Sequence, residues 1–161
     1  MGAKGIRAGA VVDGTDWKLP AVVQAYGNGS NTVSATTFAV LPTTTVTAQI
    51  TNPHPFAQML VMCEYGAWLT PGAAANVRIG IAVSGSIAIS AGIGNGGPIG
   101  WGEIPFAGTA STLGQHSAMC TYELPVSATA ATFSMHAMRE TANGTVAFGT
   151  IRLTPLRFLF D

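Results

Sequence analysis

The sequence predicts an all-β fold, an antiparallel sandwich or jelly roll, and three observations carry that expectation. Polar and apolar residues alternate with a period of two along several segments, the pattern of strands with one buried face. Turn-forming residues interrupt these segments at intervals of roughly 8–12 residues, the spacing of sandwich strands. No stretch shows a helical period over a useful length.

The first 32 residues read as an extended arm preceding a sandwich domain over 33–161. They hold five of the fourteen charges, many glycines, and two isolated aromatics, Trp17 and Tyr26. Gly27-Asn28-Gly29-Ser30-Asn31 reads as the turn that ends the arm. Two readings are open. Lys4, Arg7, Trp17 and Tyr26 belong to an attachment or inter-subunit segment, or the region is an ordered first strand or a frayed terminus.

From Thr32 onward strand follows strand. Thr44 to Thr51 places Val46, Ala48 and Ile50 on one face and Thr45, Thr47, Gln49 and Thr51 on the other. After the Asn52-Pro53-His54-Pro55 corner, Phe56 to Leu69 is a nearly continuous apolar run suited to a central strand. Trp68 and Tyr65 within it read as buried. Asn76–Ser84 and Ser86–Ala91 read as a hairpin around Gly85. In 115–124, His116, Ala118, Cys120, Tyr122 and Leu124 share one face. Residues 132–139 form a further strand, and Asn143-Gly144 is a hairpin signal because both central residues of a type I′ turn need positive φ. The last strand changes phase twice, with a bulge at Gly149 and a break at Pro155.

Charge sets the functional limits. Charged residues make up 9% of the chain and the formal net charge is zero, against about 25% charged in an average soluble domain. Neutral strands of this kind favour association, since burying their surface costs little charge desolvation. Seven scattered basic residues balanced by seven acids form no basic stripe, which argues against nucleic acid. Ile79 to Gly102 is charge-free, but its large residues at 79, 81, 83, 87, 89 and 93 keep a strand period, so membrane insertion is not expected. No apolar core follows Lys4 and Arg7, so a secretory leader is not expected and the chain reads as assembled in cytoplasm. Cys63 and Cys120 read as buried free thiols, with a single cross-strand bridge as the other possibility.

Motifs for chemistry are sparse. Gly92, Gly94 and Gly97 match a dinucleotide-binding pattern, yet Pro98, Gly100 and Gly102 occupy the place of the helix it requires. The loop is better read as a close-approach surface bearing Gly96, Gly97 and Trp101, unless Trp101 folds back to cap the core. His54, His116 and His136 have no metal-ligand spacing. His54 reads as a turn residue, His116 as a core or interface histidine, and His136 as solvated. Glu64, Glu103, Glu123 and Glu140 are unpaired in sequence, and no nucleophile elbow occurs. No catalytic residue, metal or cofactor is expected.

The glycine-rich arm, the Thr/Ala/Gly-rich strands, and the closing stretches Asn143-Gly144-Thr145-Val146 and Arg152-Leu153-Thr154-Pro155-Leu156-Arg157-Phe158 resemble small virion proteins of tailed actinobacteriophages. Minor tail and tail-fibre head proteins, and capsid decoration proteins, carry that likeness. The resemblance implies a complement- or tumour-necrosis-factor-like jelly roll, usually a homotrimer, located in the virion without catalysis. Its implied partners are sister subunits, other virion proteins and a host cell-surface glycan. The alternatives are a capsid decoration protein and a carbohydrate-binding module outside phages.

Overall fold

The computed structural model describes residues 18–41, 46–71, 76–87, 103–107, 114–126, 130–139 and 144–159. Lys4, Arg7, Trp17, Gly96, Gly97 and Trp101 lie outside them, as does the glycine-rich loop. The described residues form nine strands and no helix: β1 (Val23–Val33), β2 (Ala39–Val40), β3 (Thr47–Ile50), β4 (Gln58–Pro71), β5 (Asn76–Gly85), β6 (Glu103–Ala107), β7 (Gly114–Leu124), β8 (Ala131–Arg139) and β9 (Gly144–Leu159).

Two antiparallel sheets face each other. One is ordered β1-β9-β4-β7; the other is β2-β8-β5-β6, with β3 also pairing β8. Successive strands repeatedly cross between the layers, which is the connectivity of a jelly roll. The expected all-β antiparallel sandwich is therefore the fold observed.

Alternation supplies the core. Val61, Cys63, Tyr65 and Ala67 of β4, Ile79, Ile81 and Val83 of β5, and Phe133 and Met135 of β8 all point inward and are buried. Tyr122 of β7 meets Phe133 of β8 edge to face at 5.0 Å and 79°, joining the two layers. At Gly149 the layers come so close that an added Cβ would stand 2.9 Å from Val46 Cγ2 and 3.0 Å from Met135 Sδ. Cys63 and Cys120 are opposed in register, buried and free. The hydrogen bond to Cys120 and burial push the Cys63 thiol up.

The corner between β3 and β4 is a buried polar joint. The Asn52 side-chain amide donates to the carbonyls of Ala57 (2.9 Å), Leu124 (3.3 Å) and Pro125 (2.8 Å), and its Oδ1 accepts from the His54 N–H at 3.0 Å. His54 Nδ1 accepts the N–H groups of Phe56 (3.1 Å) and Ala57 (2.8 Å). The ring is fully buried beside Phe158. His54 is a turn residue, as its flanking prolines suggest, but one that satisfies otherwise orphaned backbone donors.

Several sequence expectations change. Residues 27–31 are not a turn but a bulged part of β1, whose register against β9 shifts between Asn28 and Asn31. β1 runs across the 32/33 boundary expected between arm and domain, and residues 23–32 are part of the sheet. Gly85, at φ +98° with the Ala130 carbonyl against its Cα, ends β5 opposite Ala131. Ser86 and Ile87 form a bend, and β5 pairs with β6 and β8. Residues 88–91 lie outside the described set. Gly144 starts β9, which lies in the sheet opposite β8, so Asn143-Gly144 does not close a β8–β9 hairpin. The phase changes in β9 fall at Ala147 and Leu156, each skipped by the β4 register, instead of at Gly149 and Pro155.

Candidate functional site

The outward residues of the four-stranded sheet fall into rows across β7, β4, β9 and β1, because register partners share a face. The first row is Glu123, Leu60 and Arg157; the second is Thr121, Met62 and Thr154. Met119, Glu64, Arg152 and Gln24 form the third. Ser117, Gly66, Thr150 and Tyr26 form the fourth, and Trp68, Phe148 and Asn28 lie in the fifth.

These rows divide the face into two halves of different shape. Leu60, Met62 and Met119 make a flat apolar field bordered by Glu123 on one side and Arg157 on the other; Met119 is 60% exposed. Over β7, β4 and β9 the fourth row is made of small residues between two rows of large ones, with Tyr26 of β1 at its end. Gly66 has no side chain, and Ser117 and Thr150 flank it with short ones, so a notch opens over β4. It is a cleft of about 230 Å³ lined by Gln24, Glu64, Trp68, Ser117, Phe148, Thr150 and Arg152, with the backbone of β4 as its floor.

Trp68 and Phe148 form one wall, in edge contact at 6.3 Å and 62°. A second depression of about 460 Å³, lined by Asn28, Trp68, Ala147 and Phe148, adjoins the far side of that pair. The bulge at Ala147 brings about this arrangement: Val146 and Ile151 both face the core, and the extra residue turns Phe148 outward beside Trp68. Glu64 and Arg152 form the opposite wall, their Oε2 and Nε 3.7 Å apart. Both side chains are about half exposed.

The outer face of the other sheet is different. Thr132, Ser134, His136 and Met138 of β8 stand beside Arg78, Gly80, Ala82 and Ser84 of β5 and Thr47 and Gln49 of β3. Its polar groups bond one another: Gln49 Nε2 donates to Thr132 Oγ1 at 3.0 Å, and Ser134 Oγ lies 3.3 Å from His136 Nε2. His136 is only partly exposed, not solvated, and burial lowers its pKa while a hydrogen bond to the Phe38 backbone opposes the shift.

Of the candidate contact residues, Tyr26 is described and is 71% exposed on the four-stranded face. His116 lies in β7 opposite Ala67. Trp68, expected to be buried, is 42% exposed, while Tyr65 is buried as expected. Gln24, Glu64, Gly66, Phe148 and Arg152 escaped the sequence reading. Parity holds the missing signal: Glu64 sits in a run with few polar residues, and even-numbered neighbours from Leu60 to Trp68 share its outward side. Among the described residues no cluster of three metal-ligating side chains occurs, and no helix is long and apolar enough to cross a membrane.

No protein-family model and no curated protein matches the chain. Among solved structures, Eiger TNF from S. frugiperda is similar with a TM-score of 0.47 and 9% identity, covering 87% of this chain and 94% of that one. A structure of infectious bursal disease virus, Gx strain, gives 0.41 at 10% identity, over 95% of this chain and 36% of that one. The enzymatically active domain of tailspike protein 4 from bacteriophage CBA120 gives 0.29 at 10% identity, over 88% of this chain and 20% of that one.

Proposed function

We propose that this chain is a non-enzymatic structural subunit of a tailed-phage virion, assembling as a homotrimer through the flat half of its four-stranded sheet. The carrying observation is the contrast between its outer faces. One sheet carries the polar pairs Gln49–Thr132 and Ser134–His136 on its outer face, with Val40, Arg78 and Met138 beside them; the other groups Leu60, Met62 and Met119 together. Apolar patches rimmed by polar groups mark contact surfaces.

The rim also fits a ring. Glu123 lies on the β7 side of Leu60 and Arg157 on the β9 side. In a cyclic, head-to-tail arrangement the acidic side of one copy meets the basic side of the next. The sparse charge of the chain suits a protein whose strands are covered by its neighbours. Placement at the tail tip or fibre, with contact to a host surface, follows the sequence resemblance.

Light scattering on the purified chain tests the assembly. The expected mass is three times the chain's 16.4 kDa; a monomer persisting at tens of micromolar contradicts it. Labelling intact particles with an antibody against the chain tests the location, with tail decoration expected and head decoration or no labelling against it.

A further inference from the structure

We propose that the notch over Gly66 is a binding site for a neutral saccharide. This deepens the host-contact part of the reading above and rests on it for its biological setting, while the chemistry is that of the notch alone.

A sugar ring has one face of C–H groups and an equator of hydroxyls that both donate and accept. Its site therefore needs an exposed aromatic surface beside planar polar groups of both kinds. The notch has this composition. Trp68 is 42% exposed and braced against Phe148. Gln24 supplies an amide that donates and accepts, Glu64 accepts, Arg152 donates, and Ser117 and Thr150 do either. The bracing matters because a held indole loses little side-chain freedom on binding.

Charge selects the class. The cleft contains one carboxylate and one guanidinium, already opposed at 3.7 Å, so its formal charge is zero. An anionic sugar would set its own charge against Glu64 and compete with it for Arg152; a neutral hydroxyl bonds either without breaking the pair. Shape agrees. A ring can approach the β4 backbone over Gly66 because no Cβ stands there, and the adjoining depression beyond Trp68, with Asn28 at its edge, leaves room for a second unit. Leu60 and Met62 lie on the other side of the Glu64 row and Met119 at its β7 end, so a trimer contact centred on Leu60 and Met62 leaves the Gly66–Trp68 side of the notch open.

The test uses the full chain and a panel of neutral glucose, galactose, mannose and N-acetylglucosamine oligosaccharides, with sialylated and sulfated ones alongside, read by titration calorimetry. Neutral members bind, anionic ones bind at least tenfold more weakly, Trp68→Ala weakens binding at least tenfold, and Trp68→Phe restores part of it. Gln24→Ala, at an exposed position, provides a second variant with a several-fold loss. Circular dichroism and light scattering show whether each variant keeps its fold and assembly. No binding at millimolar saccharide, a preference for the anionic panel, or undiminished binding by Trp68→Ala overturns the inference. Saccharide binding at the notch by a chain never found in virions overturns only the virion reading; a virion trimer blind to the whole panel overturns only this one.

Discussion

The two outer faces of this sandwich are built from one neutral sequence, yet they handle neutrality in opposite ways. On the five-stranded face, Thr, Ser, Gln and His side chains bond one another, as in the Gln49–Thr132 and Ser134–His136 contacts. Such a face meets part of its hydrogen-bonding need within itself. On the four-stranded face the same alternation brings out Leu60, Met62, Met119 and Trp68, and the bulge at Ala147 adds Phe148, with a notch where Gly66 falls between Ser117 and Thr150. A low charge count therefore says nothing of where a protein makes contact. The size and grouping of the outward residues do.

The largest expected effect breaks the comparison at its apolar side. Met62→Glu combined with Met119→Glu desolvates two carboxylates in the proposed contact, and association weakens by about 100-fold or more, since interface anchors are worth about 2 kcal/mol or more each. Sedimentation then shows a monomer, whereas Ser84→Glu with Thr132→Glu on the five-stranded face leaves the mass unchanged.

Next comes the joint between the sheets. Asn52 lies where the chain passes from β3 to β4, and its amide holds three carbonyls. Asn52→Ala should cost about 2–3 kcal/mol in urea unfolding, at about 1 kcal/mol per bond lost. Both faces should loosen together, because the corner serves both layers.

Acid distinguishes His54 from His136. Burial lowers the pKa of His54, and protonation would cost its Nδ1 the two N–H groups it accepts. A base with a lowered folded pKa takes its proton more readily in the unfolded chain. Stability should thus be level above about pH 6.5, the ordinary value, and fall as pH drops below it. His54→Gln should flatten that slope more than His136→Gln, as denaturation midpoints between pH 7 and 5 would show. Equal slopes would mean that the corner is not the sensitive element.

The smallest effect belongs to the Glu64–Arg152 pair. Both side chains are about half exposed at 3.7 Å, so Glu64→Gln should change stability by less than about 1 kcal/mol, while changing saccharide affinity several-fold.

The core and the fold class were legible in the sequence because Val46-Ala48-Ile50 and Cys120-Tyr122-Leu124 alternate plainly. The sheet partners were not. Asn143-Gly144 carries the local chemistry of a hairpin, but strand pairing is decided by which buried faces meet, and β9 fits between β1 and β4. The notch was hidden for a related reason. Trp68 lies in an apolar run that conceals its parity, and Phe148 faces outward only because Ala147 is a bulge. A bulge is a property of two strands in register, which neither strand shows alone.

Oxidative footprinting with mass spectrometry reads the covered face directly. At assembly concentration Met119, 60% exposed in the lone subunit, should resist hydroxyl radicals, and Met138 of the five-stranded face should react at the rate it shows in dilute monomer. Met119 oxidising as fast in the concentrated protein as in the dilute one would contradict the account.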